Sequence, residues 1–136
     1  MPKPIPVPDE LSKPFWDAAN ESRLVIQHCK DCDTLQHPPR PRCRDCNSEN
    51  LEWKEVSGKG KISTCMVVDD GRIGRMQPDQ PFNLATIVLD EDPRVNMYSN
   101  IPGVPVRQAV EDTPVEVFFE AVSPTQKVPE WRVVGS

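Results

Sequence analysis

Short alternations of apolar and polar residues fill the second half of the chain and predict a series of β-strands. The clearest is Arg94–Ile101, in which every second residue would face a core. Its inward set is Val95, Met97, Ser99 and Ile101, and its outward set is Arg94, Asn96, Tyr98 and Asn100. An acidic turn at residues 90–93 would join this strand to Asn83–Leu89 in a hairpin, a commoner use of three acids than a calcium site.

Three further β-rich runs flank this hairpin: Lys61–Val68, Val115–Val122 and the short Trp131–Val134. The residues expected to face inward in the first two are Ile62, Thr64, Met66 and Val68, and Val115, Val117, Phe119 and Ala121. Cys65 would lie on the opposite face, and Phe118 would point outward between two glutamates, which is unusual on an isolated surface. About five antiparallel strands with one long early loop predict a small, closed β-barrel of OB type.

A short amphipathic helix is predicted ahead of the barrel, over Lys13–Asn20. Ser12 would cap it, and Pro14 is tolerated because it falls in the first turn. The apolar stripe consists of Phe15, Trp16 and Ala19. Two turns are not stable alone, so the helix must pack on the rest of the chain. The preceding arm, Pro2–Pro8, should be extended, either as a disordered terminus or as a segment lying along a partner.

Between helix and barrel, four cysteines are spaced as C-x2-C, ten residues and C-x2-C. Two residues between cysteines let both sulfurs of one turn reach a metal ion at about 2.3 Å, so two such knuckles predict a closed tetrahedral Zn2+ site. The predicted ligands are Cys29, Cys32, Cys43 and Cys46. Asp33 and Asn47 follow the two pairs, where a tight turn needs a residue that tolerates positive φ. His28 is expected to be a neighbour of the site and not a ligand.

Two alternatives to zinc use the same cysteines. Disulfides would suit an exported chain, but the beginning of this sequence lacks the apolar core of a signal peptide. A rubredoxin-type iron site has the same four thiolates, and the spacing does not exclude it. In either metal site all four positions are taken by thiolates, which leaves none for substrate or water, so the expected role is structural.

The charge balance narrows the classes of partner. The chain carries 16 basic and 21 acidic residues, a formal net charge of −5, and only 6% aromatic residues. This composition argues against binding of nucleic acid or an anionic membrane surface, which both attract basic proteins. No apolar run approaches the roughly 20 residues of a membrane span. Cysteines without an export signal favour a cytoplasmic location.

Two arginine pairs and one aromatic residue are the candidates for binding a ligand or a partner. They are Arg40, Arg42, Arg72, Arg75 and Phe118. The first pair lies in the proline-stiffened spacer between the cysteine pairs and could hold a phosphate or carboxylate, although a merely solvated loop has the same sequence pattern. The second pair lies with Ile73 and Met76 in Asp69–Phe82, a loop long enough to be functional or mobile.

Catalytic chemistry has little support in the sequence. Cys65 has no partner cysteine, and both histidines, His28 and His37, belong to the cysteine-rich region. A buried apolar role for Cys65 is therefore the expected one, and no nucleophile–base pair emerges from the pattern.

In combination, four segments resemble a known family, the zinc-ribbon plus OB-fold proteins first catalogued as a domain of unknown function and associated with acyl-CoA metabolism. The matching segments are Pro14–Ala19, Arg23–Cys32, His37–Cys46 and Trp53–Ile62. The family often has glycine where this sequence has Ser22, Asp33 and Asn47. The resemblance implies a short helix, a rubredoxin-like four-cysteine zinc ribbon and an OB barrel, with boundaries at residues 1–22, 23–56 and 57–136.

The resemblance also implies a function: a non-catalytic subunit that completes or stabilises the active site of a thiolase-fold partner. Such partners form or cleave C–C bonds in acyl-CoA thioesters. The implied assembly is a hetero-oligomer, for example a heterotetramer, with the CoA thioester at or near the interface. A free-standing CoA or acyl-CoA carrier and a single-stranded nucleic-acid binder are the alternatives, and the acidic charge disfavours the second.

Overall fold

The computed structural model describes residues 4–75 and 80–135 and shows a mainly β protein with a single α-helix among them, as expected. The helix is α1, Lys13–Asn20, and a 3-10 turn covers Gly71–Ile73. The strands are β1 Val25–Cys29, β2 Leu35–Gln36, β3 Leu51–Glu55, β4 Lys59–Val68, β5 Phe82–Leu89, β6 Asn96–Ser99, β7 Pro114–Ser123 and β8 Gln126–Val133. Within the described part of the chain, no helix is both long and apolar enough to cross a membrane.

The strands form two antiparallel sheets that share one hydrophobic core. The ribbon sheet has the order β2-β1-β3, and the barrel sheet has the order β6-β5-β4-β7-β8. Buried residues of the ribbon, such as Ile26 and Leu35, belong to the same cluster as Ile62 and Ile87 of the barrel. The ribbon is therefore packed on the barrel and is not a separately tethered module.

The two edge strands of the barrel sheet are joined through one buried serine. Ser99 Oγ on β6 accepts a hydrogen bond from the backbone N–H of Trp131 on β8 at 3.0 Å and donates to Glu130 Oε2 at 2.6 Å. Trp131 is fully buried. This side-chain contact places β6 next to β8, but the two strands are not paired with each other, so the sheet is not closed by a backbone ladder as in the predicted closed barrel. Ser99 was expected to face inward, and it does.

Helix α1 has the predicted bounds, but a turn fixed by two side chains precedes it. Ser12 makes no capping hydrogen bond with its side chain at its own N-cap position. Instead, Asp9 Oδ1 accepts from the N–H of Ser12 at 2.7 Å, and Ser12 Oγ accepts from the N–H of Asp9 at 3.1 Å. This reciprocal pair is the capping-box arrangement. Ser12 therefore stands at the N-cap position, as predicted, but its side chain caps no N–H of α1 and belongs instead to the turn that Asp9 begins.

Helix α1 connects the ribbon to the last strand of the barrel. Phe15, Ala18 and Ala19 are buried on one face. On the barrel side, Asn20 Oδ1 accepts from the backbone N–H of Lys127 at 2.8 Å. A helix of eight residues has little stability of its own, so these contacts to β8 and the shared core hold it in place.

The predicted faces of β4 are wrong beyond Ile62. The pairing of β4 with β5 shifts between Ile62 and Thr64, as at a β-bulge. One extra residue reverses the side of every following side chain. As a result Thr64 and Met66 are exposed, whereas Cys65 packs against the core. Alternation read from the sequence has no means of detecting an inserted residue.

The last two strands also depart from the expected pattern. Val115 is fully buried and Val117 and Phe119 pack against the core, but Ala121 is exposed, beside a register shift towards Ser123. Strand β8 is twice as long as the predicted Trp131–Val134 because it continues back through Pro129 to Gln126. Proline is tolerated there because β8 is at the edge of its sheet.

Candidate metal centre and binding residues

The structure brings the four predicted ligands together. The Sγ atoms of the four cysteines all lie within 4.8 Å of one another, and two of these distances are 3.6 Å (Cys29–Cys46) and 3.5 Å (Cys32–Cys43). A tetrahedral ion with Zn–S bonds of about 2.3 Å requires sulfurs about 3.8 Å apart. The cluster therefore fits a zinc ion with modest adjustment, with Cys29 and Cys43 buried and the other two exposed.

The two knuckles have the same backbone structure. In each, the N–H of the first cysteine donates to the carbonyl five residues later, at 2.8 Å for Cys29 and 2.9 Å for Cys43. The carbonyl of that cysteine accepts from the N–H four residues later, at 2.9 Å in both cases. Those N–H groups belong to Asp33 and Asn47, which have φ angles of 67° and 62°. The positive φ expected at both positions is confirmed.

Asn47 offers a direct test of this turn geometry. Changing Asn47→Val is expected to lower the free energy of unfolding by about 1–2 kcal/mol, because a β-branched residue is strained at positive φ. Asn47→Gly, the matched control, should leave stability unchanged or slightly higher, since glycine adopts this conformation without strain. Denaturant unfolding with zinc in excess measures both. Equal stability of the two variants would contradict the assigned geometry.

Backbone donors prepare one of the sulfurs for metal binding. The N–H groups of Cys46 and Asp45 point at Cys43 Sγ and lower the pKa of that thiol to about 6. The thiolate is the form of cysteine that binds a metal ion, and backbone donors of this kind favour it. Cys65 differs, because burial raises the pKa of its thiol.

A chain of polar contacts links the metal centre to the barrel. Cys32 Sγ lies 3.1 Å from Thr34 Oγ1, and Thr34 Oγ1 donates to Asp45 Oδ2 at 2.9 Å. Asp45 Oδ2 also accepts from Arg94 Nη1, in the turn between β5 and β6, at 3.1 Å. The hydrogen bonds from Thr34 and Arg94 lower the pKa of the Asp45 carboxyl. The metal centre therefore orients groups that hold the ribbon against the barrel.

His28 is a neighbour of the metal centre. Its ring lies between two carboxylates, with Nδ1 3.2 Å from Glu52 Oε2 and Nε2 in contact with Asp33 Oδ1. The contact with His28 lowers the pKa of Asp33. The ring thereby ties the first knuckle to β3.

Two buried glutamines fix the spacer loop between the cysteine pairs. Gln27 pairs with both backbone groups of Arg40, through Nε2 to the carbonyl and through Oε1 from the N–H, each at 2.9 Å. Gln36 donates to Gln27 Oε1 at 2.6 Å and to the carbonyl of Arg42 at 3.2 Å, and it accepts from the N–H of Arg44 at 2.9 Å. We call this pair the glutamine clamp. Sequence reasoning missed it, although the polar Gln27 directly after the apolar run Leu24–Ile26 was a visible signal.

The glutamine clamp holds the spacer loop by its backbone, so the arginine side chains of the loop are exposed to solvent. Arg40 and Arg42 are exposed and line, with Arg44, a shallow concavity of about 390 Å3. Arg42 Nη2 lies 2.8 Å from Glu49 Oε1, so one of the two predicted guanidinium groups already has a carboxylate partner. Exposed pairs of this kind are weak and exchangeable.

The second arginine pair lies in a different part of the fold. Arg72 Nη2 is 2.8 Å from Asp70 Oδ2, and Asp70 also caps the 3-10 turn by accepting from the N–H of Arg72. This pairing raises the pKa of Arg72. Arg75 follows the turn and is exposed, while Met76 lies outside the described residues.

Phe118 has an intramolecular partner. The guanidinium carbon of Arg132 lies 5.5 Å from the centroid of its ring, within the range of a cation–π contact. Arg132 Nε in turn lies 3.2 Å from Glu116 Oε1. The side chain is half-buried on β7. Phe118 was a candidate for an intermolecular contact because an outward aromatic ring is unusual on an isolated surface. The contact with Arg132 gives this ring a partner within the chain and weakens that argument.

A pocket of about 600 Å3 lies where helix, ribbon and barrel meet, and we call it the junction pocket. Its walls are α1, the His37–Pro39 loop, β6 and β8, and its lining includes Phe15, Trp16, Pro38, Tyr98 and Pro129. The His37 ring packs at 5.2 Å from that of Phe15, and burial lowers the pKa of this histidine. The pocket is thus largely apolar and formed by side chains that the three parts of the fold hold in place.

Family models cover most of the chain. Residues 16–52 match the model described as the ChsH2 rubredoxin-like zinc ribbon domain, and residues 53–120 match the ChsH2 C-terminal OB-fold domain. The chain belongs to the ChsH2 family of zinc-ribbon and OB-fold proteins. The four-cysteine cluster is accordingly the metal site of a zinc ribbon, as the spacing predicted.

Relatives and a solved structure agree with this membership. The chain is 30% identical over 119 residues to a probable enoyl-CoA hydratase alpha subunit of Thermomonospora curvata, a match covering 87% of this chain and 36% of that protein. It is 35% identical over 89 residues to a DUF35 domain-containing scaffold protein of Pyrococcus furiosus, covering 65% and 63% of the two chains. The match thus spans about a third of the Thermomonospora protein and less than two thirds of the Pyrococcus protein.

A solved structure described as an Ltp2-ChsH2(DUF35) aldolase superimposes with a TM-score of 0.79 at 26% sequence identity. The match covers 95% of this chain and 98% of the other. The whole described architecture, and not the zinc ribbon alone, therefore recurs in that protein.

Proposed function

We propose that this chain is a non-catalytic subunit of a thiolase-like enzyme complex that forms or cleaves C–C bonds in acyl-CoA thioesters. The observation that carries the proposal is the correspondence over 95% of the chain with a structure described as an aldolase pairing Ltp2 with ChsH2(DUF35). The name of the Pyrococcus relative, a scaffold protein, supports an organising role, and that of the Thermomonospora relative supports CoA thioester metabolism.

The chemistry of the chain supports a helper role over a catalytic one. A site with four thiolate ligands has no open position at which zinc could activate water or a carbonyl. The remaining thiol, Cys65, has a raised pKa and packs on the core, which makes it a poor nucleophile. His28 is held by two carboxylates and His37 packs on Phe15, so each histidine has a structural environment.

The proposed assembly is a cytoplasmic hetero-oligomer with a thiolase-fold subunit, for example a heterotetramer, with the CoA thioester at or near the interface. Arg40, Arg42, Arg72 and Arg75 remain candidates for the CoA phosphates, because guanidinium groups bind phosphate through paired hydrogen bonds. Phe118 remains a candidate contact to the partner. Zinc serves this assembly by fixing the shape of the ribbon.

Affinity purification of the tagged chain from its source organism tests the proposal. Zinc is kept in the buffers, and co-purified proteins are identified by mass spectrometry. A Cys32→Ser variant, whose ribbon is expected to be disordered, is purified in parallel. It shows whether recovery of the partner depends on a folded ribbon. We expect a stoichiometric thiolase-fold protein with the wild type and its loss with the variant.

Two outcomes would count against the proposed function. One is a monomeric chain beside a thiolase-fold enzyme that is soluble and fully active without it. The other is micromolar binding of a CoA thioester to the isolated chain in calorimetry, which would favour the free-standing carrier instead.

A further inference from the structure

One part of the outward surface of the barrel sheet, bordered by Lys61 opposite Val88, lacks the charge that a water-exposed surface normally carries. No Asp, Glu, Lys or Arg stands at residues 64–68, 82–88 or 96–98, which form parts of β4, β5 and β6, although 27% of the chain is charged. An antiparallel sheet with one face in water usually alternates apolar with polar or charged residues. Here the outward positions are occupied by apolar side chains, threonines and one asparagine. We call this surface the outer face.

Strand register makes the outer face continuous. Met66 on β4 is paired with Leu84 on β5, Val68 with Phe82, and Thr86 with Tyr98 on β6. Met66 is 58% exposed and Tyr98 is 70% exposed. The bulge in β4 contributes to this surface, because it turns Met66 outward and Cys65 inward. A contiguous apolar surface across three strands is more often an interaction site than a surface that stays in contact with water.

The outer face continues into the junction pocket. Tyr98 belongs to the outer face and also lines the pocket, whose other walls are α1 and the His37–Pro39 loop. A largely apolar pocket of about 600 Å3 next to an apolar surface resembles the pocket that receives an anchoring side chain at the centre of a protein interface.

We propose that the outer face and the junction pocket together form the docking surface for the catalytic subunit. The partner surface would be uncharged at its centre and would insert an aromatic or large aliphatic side chain into the junction pocket. This inference rests on the proposed function and deepens it by naming the contact surface.

Charge decides between the classes of occupant. Nucleic acid and anionic membranes need cationic contacts, which the outer face does not supply. A charged protein surface would lose hydration against it without gaining a counter-charge. A second copy of this chain would bring a matching apolar face, but the most exposed large side chain of that face, Tyr98, lines the pocket of its own chain and is not available to fill the pocket of the other copy. An uncharged surface of the catalytic subunit satisfies both the face and the pocket.

The test places single positive charges at exposed positions, so that folding is preserved. Met66→Lys and Tyr98→Lys alter the outer face, and Val110→Lys is the matched control at a 59% exposed position in the segment between β6 and β7. The probe is the thiolase-fold protein recovered with the wild-type chain, produced recombinantly. Its dissociation constant is measured by biolayer interferometry, after thermal melts have shown that each variant is folded.

Met66→Lys and Tyr98→Lys should each weaken binding by about 30-fold or more, because each buries an unpaired charge, whereas Val110→Lys should stay within about threefold of the wild type. Wild-type affinity for both outer-face variants, with the complex still formed, would overturn the docking surface and leave the proposed function standing. Failure of the wild-type chain to bind any thiolase-fold protein would overturn both. A homodimer that Met66→Lys converts to monomer would assign the outer face to self-association and overturn the inference.

Discussion

Replacing Cys32 by serine is expected to weaken zinc binding by more than about 100-fold and to unfold the ribbon, including the loop that carries Arg40 and Arg42. The structural reason is that the ribbon sheet is small: β2 has two residues and pairs only with β1. The closed metal site therefore supplies much of what holds the two knuckles together. Loss of the ribbon also removes one wall of the junction pocket, so the partner should be lost as well, although no catalytic group is removed.

Zinc content by atomic spectroscopy and near-UV circular dichroism measure this result. Cys65→Ser is the matched control, because that cysteine lies on β4 and does not belong to the metal-binding cluster. It should keep one zinc ion per chain and the native spectrum. A Cys32→Ser chain, or a chelator-treated wild type, that keeps its ribbon structure and its partner would show that the metal is dispensable.

Replacing Gln36 by leucine should lower the free energy of unfolding by about 2–4 kcal/mol. The leucine has a similar size but leaves the part-buried N–H of Arg44 and carbonyl of Arg42 without the hydrogen bonds that Gln36 makes to them. It also removes one of the two hydrogen bonds that Gln27 Oε1 accepts. An unsatisfied buried polar group costs more than the hydrogen bond itself contributes. The glutamine clamp would then release the spacer loop even with zinc bound.

Urea unfolding with saturating zinc measures this loss, and hydrogen exchange locates it. Gln108→Leu is the control, at an exposed glutamine outside the ribbon. Exchange should accelerate at the N–H groups of Arg40 and Arg44 in Gln36→Leu and remain unchanged in the control. Equal stability of the two variants would show that the clamp is not an energetic feature of the ribbon.

Local chemistry explains what the sequence could predict. Ligand spacing within a knuckle is a property of a few consecutive residues, so the C-x2-C pairs predicted the metal site and the positive φ at Asp33 and Asn47. Strict alternation likewise predicted the buried set of the Arg94–Ile101 strand, because no bulge interrupts it. The helix bounds were predictable from the apolar stripe and from the position of Pro14.

Features formed by residues far apart in the sequence could not be predicted from local patterns. The bulge near Ile62 is visible only in the pairing with β5, and the edge position of β8, which tolerates Pro129, is visible only in the finished sheet. The glutamine clamp joins two strands to a loop that the sequence separates from them. The outer face depended on the bulge, since the predicted orientation would have buried Met66.

Reconstitution of enzyme activity tests the central claim most directly. The thiolase-fold protein recovered with this chain is assayed with its acyl-CoA substrate alone, with equimolar wild-type chain, and with the Met66→Lys variant. The account predicts that kcat/KM without the chain is lower by about tenfold or more, since a loosened active site loses substrate positioning, and that the wild type restores it. The isolated chain should be inactive. A partner that is soluble and fully active without the chain would contradict the account.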